Sequence, residues 1–250
     1  MLRIIVSGGG IGGLTFAAAA RRAGMRPIVI ERLSKLRKGT FGGGLGLWPP
    51  SQKVFAAIGA LSSLEAQGGW MPKPEYRNSN GSLLARPSDQ FGEYVPVLCL
   101  ERDAILNTLT KTCVDLGVEF MFDAEVAEVC EHEGRGNNEN NPVTVTLSDG
   151  RTVSGDVLVG ADGLHSTTRD FVTRQHSVAE VRAAHCGYAY FRSVLDTGDL
   201  SRRYGWHDVA FEAWGNGMRF GYVPLQEPST FWFGAVPITR NSSDPFDIGV

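Results

Sequence analysis

The sequence lacks the features that mark secreted and membrane-spanning proteins. Its four cysteines lie far apart with no CxxC pair, which predicts free thiols in a reducing compartment rather than disulfides. No segment contains the roughly 20 consecutive apolar residues of a membrane-spanning helix, so no membrane span is expected. The N-terminus lacks the basic region, the long apolar region and the cleavage site of a signal peptide. We therefore expect a cytoplasmic protein.

An excess of charge of one sign is also missing. The 24 Lys and Arg residues are balanced by 27 Asp and Glu residues, which gives a net charge of −3 without any basic run. Nucleic acid and anionic membranes are therefore not expected as partners. The five histidines show no spacing typical of a metal site, and the G-x-S-x-G motif of serine hydrolases does not occur. We expect no metal site.

What the sequence does have, near its start, is a glycine-rich turn between an apolar strand and an alanine-rich helix. The segment "IIVSGGGIGG" places Gly8, Gly10 and Gly13 in a G-x-G-x-x-G spacing. Such glycines permit a tight turn and let a pyrophosphate approach the helix N-terminus. The next strand ends in Glu31, whose carboxylate could accept hydrogen bonds from a ribose hydroxyl. The pattern predicts binding of an adenine dinucleotide without distinguishing NAD from FAD.

A second apolar strand ends in a similar turn much later, in the segment "GDVLVGADGLHSTTR". Gly160, Asp162 and Gly163 form this turn, and a helix is expected to follow it. The strands before it alternate in polarity as antiparallel hairpins do, so the turn does not open a second strand–helix–strand unit. The chain therefore raises the question whether the two turns serve one ligand or two.

Two features between these turns also point to a ligand. The segment "FGGGLGLW" sets glycines next to Leu45 and Trp48, which favours a close approach of the backbone to a flat or bulky group over a solvated loop. Arg102 opens an amphipathic helix, where its charge opposes the helix dipole. Either a neighbouring carboxylate, Glu101 or Asp103, or a dinucleotide phosphate could neutralise it.

The remaining segments predict helix and then mostly strand. "SQKVFAAIGALSSL" is expected to form one helix with Ser51 as its N-cap. Prolines and turn residues between 68 and 95 predict short antiparallel strands. After a helix predicted over 167–174, the aromatic and β-branched segments that follow predict a wholly β region.

Three segments together resemble one enzyme family. "GGGIGG…VIER", "GGGLGLWPPSQKVFAAIG" and "GDVLVGADGLHSTTR" resemble the class A FAD-dependent aromatic hydroxylases and monooxygenases. Within that family the chain is most similar to the branch that contains salicylate hydroxylase, FAD-dependent urate hydroxylase and zeaxanthin epoxidase-like enzymes. The resemblance spans nearly the whole chain, and the second fingerprint is its most specific part.

The resemblance implies an α/β fold with two domains. A Rossmann-like FAD-binding domain, similar to that of p-hydroxybenzoate hydroxylase, would span 1–182 and carry an inserted β segment at about 68–99. An antiparallel β-sheet that forms the substrate domain would span 183–250. The C-terminal third of the family fold is expected to be missing.

The resemblance also assigns roles to individual residues. Arg192 would lie near the flavin ring and the substrate as the candidate catalytic residue. The expected FAD-binding residues are Gly8, Gly10, Ile11, Gly12 and Gly13 at the pyrophosphate, Glu31, Arg32 and Val126 at the adenosine, Gly46 and Arg102 on the flavin side, and Gly160, Asp162 and Gly163 from the second fingerprint.

The activity that the resemblance implies is an FAD-dependent monooxygenation. NAD(P)H would reduce FAD, and O2 would supply an oxygen atom for hydroxylation or epoxidation of a small aromatic or unsaturated substrate. The family's third fingerprint, a Gly-Asp followed by Ala-His and a glycine run, is not found; "TGDLSRR" contains only the Gly-Asp. This departure leaves two alternatives: a non-catalytic relative that acts as a binding protein, or one part of a split flavoenzyme. It also predicts self-association or a partner over the uncovered region.

Overall fold

A computed structural model describes residues 1–34, 43–86, 96–132, 142–175 and 184–238. Its strands are β1 (Arg3–Ser7), β2 (Arg26–Ile30), β3 (Gly44–Leu47), β4 (Gly69–Trp70), β5 (Pro74–Asn78), β6 (Leu83–Ala85), β7 (Leu98–Glu101), β8 (Glu119–Met121), β9 (Val126–Glu131), β10 (Val143–Leu147), β11 (Thr152–Gly155), β12 (Val157–Gly160), β13 (Tyr188–Asp196), β14 (Ala210–Gly215), β15 (Met218–Pro224) and β16 (Ser229–Pro237). Its helices are α1 (Ile11–Arg22), α2 (Pro49–Ile58), α3 (Leu61–Glu65), α4 (Arg102–Asp115), α5 (Thr167–Gln175) and α6 (Gly198–Tyr204), with a short 3-10 helix at Trp206–Asp208.

The described residues divide into two compact units. The first unit contains those within Met1–Lys38, Phe55–Ala60 and Ile105–Ala183. The second unit contains those within Gly39–Val54, Leu61–Ala104 and Ala184–Val250. Strands β5 and β6 come from the segment at about 68–99, which is expected to be an insertion in the first domain. They lie in the same sheet and the same unit as β13 to β16.

The first unit is built on a parallel sheet in the order β12-β1-β2-β8. The two inner strands, β1 and β2, are apolar runs buried on both faces, as inner strands of a parallel sheet are, whereas the edge strands β8 and β12 are only partly covered. Helix α1 packs against the sheet. An apolar cluster joins Ile5, Ile28 and Ile30 of the parallel sheet to Val126 and Val145 of the antiparallel sheet β11-β10-β9. The predicted strand–helix–strand beginning and the hairpin strands that follow it are thus both present.

The second unit contains a six-stranded sheet in the order β13-β16-β15-β14-β5-β6. All its pairs are antiparallel except β14 with β5, which is parallel. A three-stranded sheet, β3-β7-β4, belongs to the same unit. Cys99 lies in β7, and Val97 immediately precedes that strand. Both pack against apolar side chains of the larger sheet, Val194, Val223 and Phe231. One face of the larger sheet is therefore partly covered within the unit.

The helices differ from the sequence prediction at two places. The single helix expected from Ser51 is two helices, α2 and α3, because Gly59 between them has a φ of +81°. Helix α2 begins at Pro49, so the two prolines lie in its first turn, where their missing N–H costs nothing. The chain after α5 is not wholly β, since it contains α6 and the 3-10 helix. None of the described helices is long and apolar enough to cross a membrane.

Two glycines on neighbouring strands of the larger sheet give a test of its packing. A Cβ on Gly221 would lie 2.7 Å from Cζ of Phe233 and 2.8 Å from the carbonyl oxygen of Phe211, whereas a Cβ on Gly234 would approach nothing closer than 3.9 Å. We expect Gly221→Ala to lower the free energy of unfolding by about 1–3 kcal/mol through overpacking. Gly234→Ala is the matched control and should leave it nearly unchanged. Urea unfolding of both variants measures the difference, and equal stability would contradict the described packing.

Candidate functional site

The two glycine turns lie side by side at one edge of the parallel sheet. Strands β1 and β12 are neighbours, with Ser7 opposite Gly160, and the N–H of Ala161 donates to the carbonyl of Ser7 at 2.8 Å. Gly8 has a φ of +104°, and a Cβ there would lie 2.4 Å from the carbonyl oxygen of Ala161. Gly8 must therefore be glycine, both for its backbone conformation and for the contact between the two turns.

The N-terminus of α1 is free to bind an anion. Gly10 is its N-cap and makes no side-chain cap, and the first turn contains no acidic residue. The N–H groups of that turn, which begins at Ile11, have no carbonyl partner within the helix. Among the described residues, a Cβ on Gly10 or Gly12 would meet nothing within 4 Å, whereas one on Gly13 would lie 2.0 Å from the carbonyl oxygen of Gly8. Gly13 thus serves packing, while Gly10 and Gly12 leave an open cradle that fits a phosphate group.

Glu31 lies buried at the end of β2, next to this cradle. Its Oε2 accepts the N–H of Gly9 at 2.7 Å, and its Oε1 accepts the N–H of Leu33 at 3.0 Å. A Cβ on Gly9 would lie 2.9 Å from Oε2 and would displace this carboxylate, a constraint that the sequence motif does not reveal. Each carboxylate oxygen keeps acceptor capacity for a ligand hydroxyl.

Asp162 and Ser166 together cap α5. Ser166 donates to Oδ1 of Asp162 and accepts the N–H of Arg169 at 2.9 Å. Oδ2 of Asp162 accepts both the N–H and the hydroxyl of Thr168 at 3.0 Å, and the hydroxyl of Ser7 at 3.5 Å. Burial alone would raise the pKa of Asp162, but the hydrogen bonds from Ser166 and Thr168 outweigh it and hold the pKa below its usual value. This carboxylate orders the second turn whether or not it also contacts a ligand.

The other residues of the second turn have different surroundings. A Cβ on Gly160 would lie 2.7 Å from Cβ of Thr168, so this glycine allows β12 and α5 to pack closely. Gly163 has a φ of +81° and open space around it. Arg169 donates to the carbonyl of Leu164 at 3.0 Å, and its buried Nε has no partner among the described residues. The sequence motif did not point to this unsatisfied donor.

Arg32 and Val126, expected at the adenosine, differ in what they offer. Arg32 is exposed and lies 3.9 Å from Glu125, a surface ion pair that contributes little to stability. The side chain of Val126 is buried in the core of the first unit, so only its backbone is available to a ligand.

Gly46 and Arg102, expected on the flavin side, lie in the second unit. A Cβ on Gly46 would lie 2.9 Å from Val97, and one on Gly44 would lie 2.7 Å from the ring of Phe231. The glycines of this segment predicted a close approach of the backbone to a flat or bulky group. The groups that approach Gly44 and Gly46 are the protein's own side chains, Phe231 and Val97. The N–H of Arg102 donates to the carbonyl of Gly43 at 2.9 Å.

The guanidinium of Arg102 does not pair with the carboxylates next to it in the sequence. Its guanidinium forms no ion pair with Glu101 or Asp103, the two carboxylates proposed from the sequence. Among the residues that the structure describes, none forms an ion pair with Arg102, and an anionic ligand at the start of α4 would also favour the helix dipole.

Arg192 lies exposed on β13, opposite Phe233 of β16. A Cβ on Gly43 would lie 3.5 Å from Cδ and Nε of Arg192, so the glycine-rich segment passes directly beside this side chain. The structure thus brings Arg192 together with the start of β3, a pairing that the sequence alone did not indicate.

A cavity of about 750 Å³ lies on the opposite face of the same sheet. Leu195 lines it, and Leu195 is three residues from Arg192 along β13, so the two side chains point to opposite faces. Arg192 is not among the residues that line the cavity. Alternate residues of β14, β15 and β16 form the floor of the cavity: Phe211, Phe220, Tyr222 and Trp232.

The rings of the floor pack as one aromatic layer. Phe211 and Tyr222 meet edge to face at a centroid distance of 4.9 Å, and Phe220 stacks on Trp232 at 6.3 Å. Glu75 and Arg77 of β5 line one side. Sequence reasoning missed this site, although the alternation of aromatic residues along β14 to β16 was its signal. No cluster of metal-ligating side chains occurs among the described residues.

The chain is similar in sequence to known FAD-binding proteins. Residues 1–198 match the family model described as "FAD binding domain". The chain is 31% identical over 248 residues to an aurachin C monooxygenase/isomerase of Stigmatella aurantiaca, covering 97% of this chain and 59% of that protein. It is 30% identical over 240 residues to 3-hydroxybenzoate 6-hydroxylase 1 of Aquipseudomonas alcaligenes, covering 91% and 56%. The chain thus spans little more than half the length of these relatives.

Solved structures show the same fold. HpxO of Klebsiella pneumoniae, crystallised with FAD and uric acid, superposes with a TM-score of 0.77 at 22% identity, over 97% of this chain and 58% of that one. The likeness confirms the expected α/β architecture with a parallel sheet and a largely antiparallel sheet.

The open cradle at α1 predicts opposite effects on stability and on binding. Gly12→Ala should keep or slightly raise thermal stability without ligand, because alanine favours helix over glycine. The added methyl group should weaken FAD binding roughly tenfold or more, the effect of losing one charged hydrogen bond. A thermal melt and an FAD titration measure the two effects. Gly13→Ala serves as the contrast and should impair folding, and a Gly12→Ala protein that binds FAD like the wild type would contradict the assignment.

The capping role of Asp162 predicts a pH dependence. Because folding lowers its pKa, Asp162 contributes stability that is complete above its ordinary pKa of 3.8 and is lost as the pH falls through the lower folded value. Asp162→Asn should lower the free energy of unfolding at neutral pH by about 1 kcal/mol, the usual worth of a helix cap, and should flatten the acid loss. Urea unfolding at several pH values tests this. Asp115→Asn, on the surface of α4, is the control, and the same acid loss in both variants would rule the role out.

Proposed function

The chain belongs to the FAD-binding domain family, which includes aromatic hydroxylases and monooxygenases, and from this membership we propose that it carries the FAD-binding and substrate-binding parts of such a monooxygenase. The reaction would use NAD(P)H and O2 to hydroxylate or epoxidise a small aromatic or unsaturated compound. The relatives act in this chemical class, as the names monooxygenase and 3-hydroxybenzoate hydroxylase state for them.

The observation that carries the proposal is the open cradle at the edge of the parallel sheet. Gly10 and Gly12 leave the N-terminus of α1 uncovered, and Glu31 lies beside it with unused acceptor capacity. An anion and a neighbouring sugar hydroxyl fit these two features, which are those of a dinucleotide. The site residues proposed for FAD are therefore Gly8, Gly10, Ile11, Gly12, Gly13, Glu31, Arg32, Gly46, Arg102, Val126, Gly160, Asp162 and Gly163.

The residues of the chain would contribute binding and positioning rather than chemistry of their own. When bound, FAD supplies the redox chemistry, accepting reducing equivalents from NAD(P)H and activating O2 for transfer of one oxygen atom to the substrate. The first turn of α1 would hold the pyrophosphate, and Glu31 would orient the ribose. Arg102 would compensate phosphate charge, and Arg192, beside Gly43, is proposed to face the flavin ring and the substrate.

The proposed role of Arg102 is tested by FAD binding. Arg102→Gln should weaken binding roughly 10- to 100-fold, as expected for the loss of a charge-assisted hydrogen bond of about 1.5–3 kcal/mol. Arg151→Gln removes the same charge from a hairpin turn, where Arg151 pairs with Asp149, and should leave the affinity unchanged. Flavin absorbance of the dialysed protein and NAD(P)H oxidation with aromatic compounds report on the wild type. A wild-type chain that retains no FAD when FAD is in excess would overturn the proposal.

A further inference from the structure

The strand register fixes which residues share a sheet face with Arg192, the face that lies beside Gly43 and away from the cavity. Residues directly opposite each other on neighbouring strands point to the same side of a sheet. Arg192 of β13 is opposite Phe233 of β16. Phe233 is in turn opposite Gly221 of β15, which is opposite Glu212 of β14. This row crosses four strands on the face that the proposed function assigns to the flavin and the substrate.

An aromatic surface occupies the middle of this row. A Cβ on Gly221 would lie 2.7 Å from Cζ of Phe233, so the ring of Phe233 lies over Gly221 and against the sheet. Phe233 is partly exposed and stacks with Phe231 at a centroid distance of 6.0 Å. A flat ring in this position gives an aromatic ligand a surface on which to stack.

Arg192 borders this surface and forms no ion pair among the described residues. Asp196 points to the same face but lies about 13 Å further along β13. Val194 and Phe231 lie between these two charges and pack against Val97. An acidic group on a stacked ligand could therefore pair with Arg192.

A second cation on this face, Arg219, already has a partner. Arg219 is two residues from Gly221 in β15 and so points to the same side. Its Nε donates to Oε1 of Glu212, and Nε1 of Trp214 donates to the same oxygen at 2.6 Å. The hydrogen bond to Glu212 raises the pKa of Arg219 above its ordinary value. The side chain of Glu212 is only 16% exposed, so its charge is held in place against the guanidinium.

We propose that Glu212 limits the charge of the ligand on this face, because it neutralises Arg219 and so makes the face favour aromatic compounds with one acidic group over those with two. The inference rests on the proposed function in taking this face as the one that meets the substrate. At this row β13 and β14 are about 14 Å apart, three strand spacings. A two-ring compound paired with Arg192 would therefore place its far end near Glu212, where a second carboxylate would lose hydration without an unpaired cation to meet it. Glu212 is thus a specificity-determining residue that acts through Arg219.

The test compares two probes with the same ring system, 2-naphthoate with one carboxylate and naphthalene-2,6-dicarboxylate with one at each end. Equilibrium dialysis at neutral pH with the full chain and added FAD measures both affinities. The wild type should bind the monocarboxylate at least roughly threefold more tightly, the scale of a partly exposed charge interaction. Equal affinities, tighter binding of the dicarboxylate, or no binding of either probe would overturn the proposal.

Removing the charge of Glu212 sharpens the test. Glu212→Gln keeps the side-chain shape and releases Arg219, so affinity for the dicarboxylate should rise at least roughly fivefold relative to the monocarboxylate. Glu119→Gln, at a surface ion pair with Arg26, is the matched control and should not change the ratio. A folded Glu212→Gln protein with the wild-type ratio would refute the proposal.

Two further variants separate charge from structure. In the double variant Glu212→Gln/Arg219→Gln both charges are gone, so the ratio should return to near the wild-type value, which a merely structural role of Glu212 would not produce. Arg219→Gln alone leaves the carboxylate unpaired and should lower relative affinity for the dicarboxylate further. If Glu212→Gln does not fold, this variant decides, and an unchanged ratio in it counts against the proposal.

The position of the probe is tested on both faces of the sheet. Arg192→Gln should weaken binding of 2-naphthoate roughly fivefold or more relative to uncharged 2-naphthamide. Phe220→Ala, which alters the cavity on the opposite face, should change neither affinity. The reverse pattern would place the probe in the cavity and contradict the proposal.

Flavin content separates this inference from the proposed function. Visible absorbance of the same dialysed samples reports bound FAD independently of the naphthalene probes. Retained FAD with a ratio that does not respond to Glu212→Gln refutes the role of Glu212 alone. A ratio that responds in a protein that holds no FAD refutes the monooxygenase assignment and leaves the role of Glu212 standing.

Discussion

The first unit depends on a contact between two stretches of backbone. Gly8 and the carbonyl of Ala161 approach so closely that no side chain fits between them, and the pairing of Ser7 with Gly160 holds the two strands in register. Helices α1 and α5 both begin at this edge of the sheet, directly after the two turns. The two glycine turns therefore form one structural unit, and a ligand that binds the first turn meets a surface whose shape the second turn helps to fix.

Both carboxylates that the sequence assigns to the ligand also bind the protein's own backbone. Glu31 accepts the N–H of Gly9, and Asp162 accepts that of Thr168. Each acidic side chain thus holds a loop in the shape that a ligand site would require. The hydrogen bonds that it accepts from the protein leave fewer of its lone pairs for a ligand. The position of Glu31 also constrains Gly9, because a Cβ there would lie 2.9 Å from Oε2 and would displace the carboxylate from its hydrogen bond.

The sequence predicts local features of this fold well and distant ones poorly. The β1–α1–β2 beginning and the second turn are local patterns of apolar residues and glycine, so they are readable directly. The parallel pairing of β14 with β5 joins segments more than a hundred residues apart, which no local pattern encodes. Helix α6 was missed because "TGDLSRR" is short and polar and lies between strongly β-forming segments. The spacing of Asp162 and Ser166 before α5 also indicates a helix cap, whereas the family resemblance points only to a ligand contact for Asp162.

The candidate cavity escaped prediction for a different reason. The cradle in the first unit exists because glycines leave the N-terminus of α1 without side chains, and the spacing of these glycines is visible in the sequence. The cavity in the second unit depends on which side chains of each strand point to one face of the sheet. In β13, Arg192 and Leu195 are only three residues apart and point to opposite faces. Substitutions on one sheet face can therefore reshape the cavity without altering the glycine cradle.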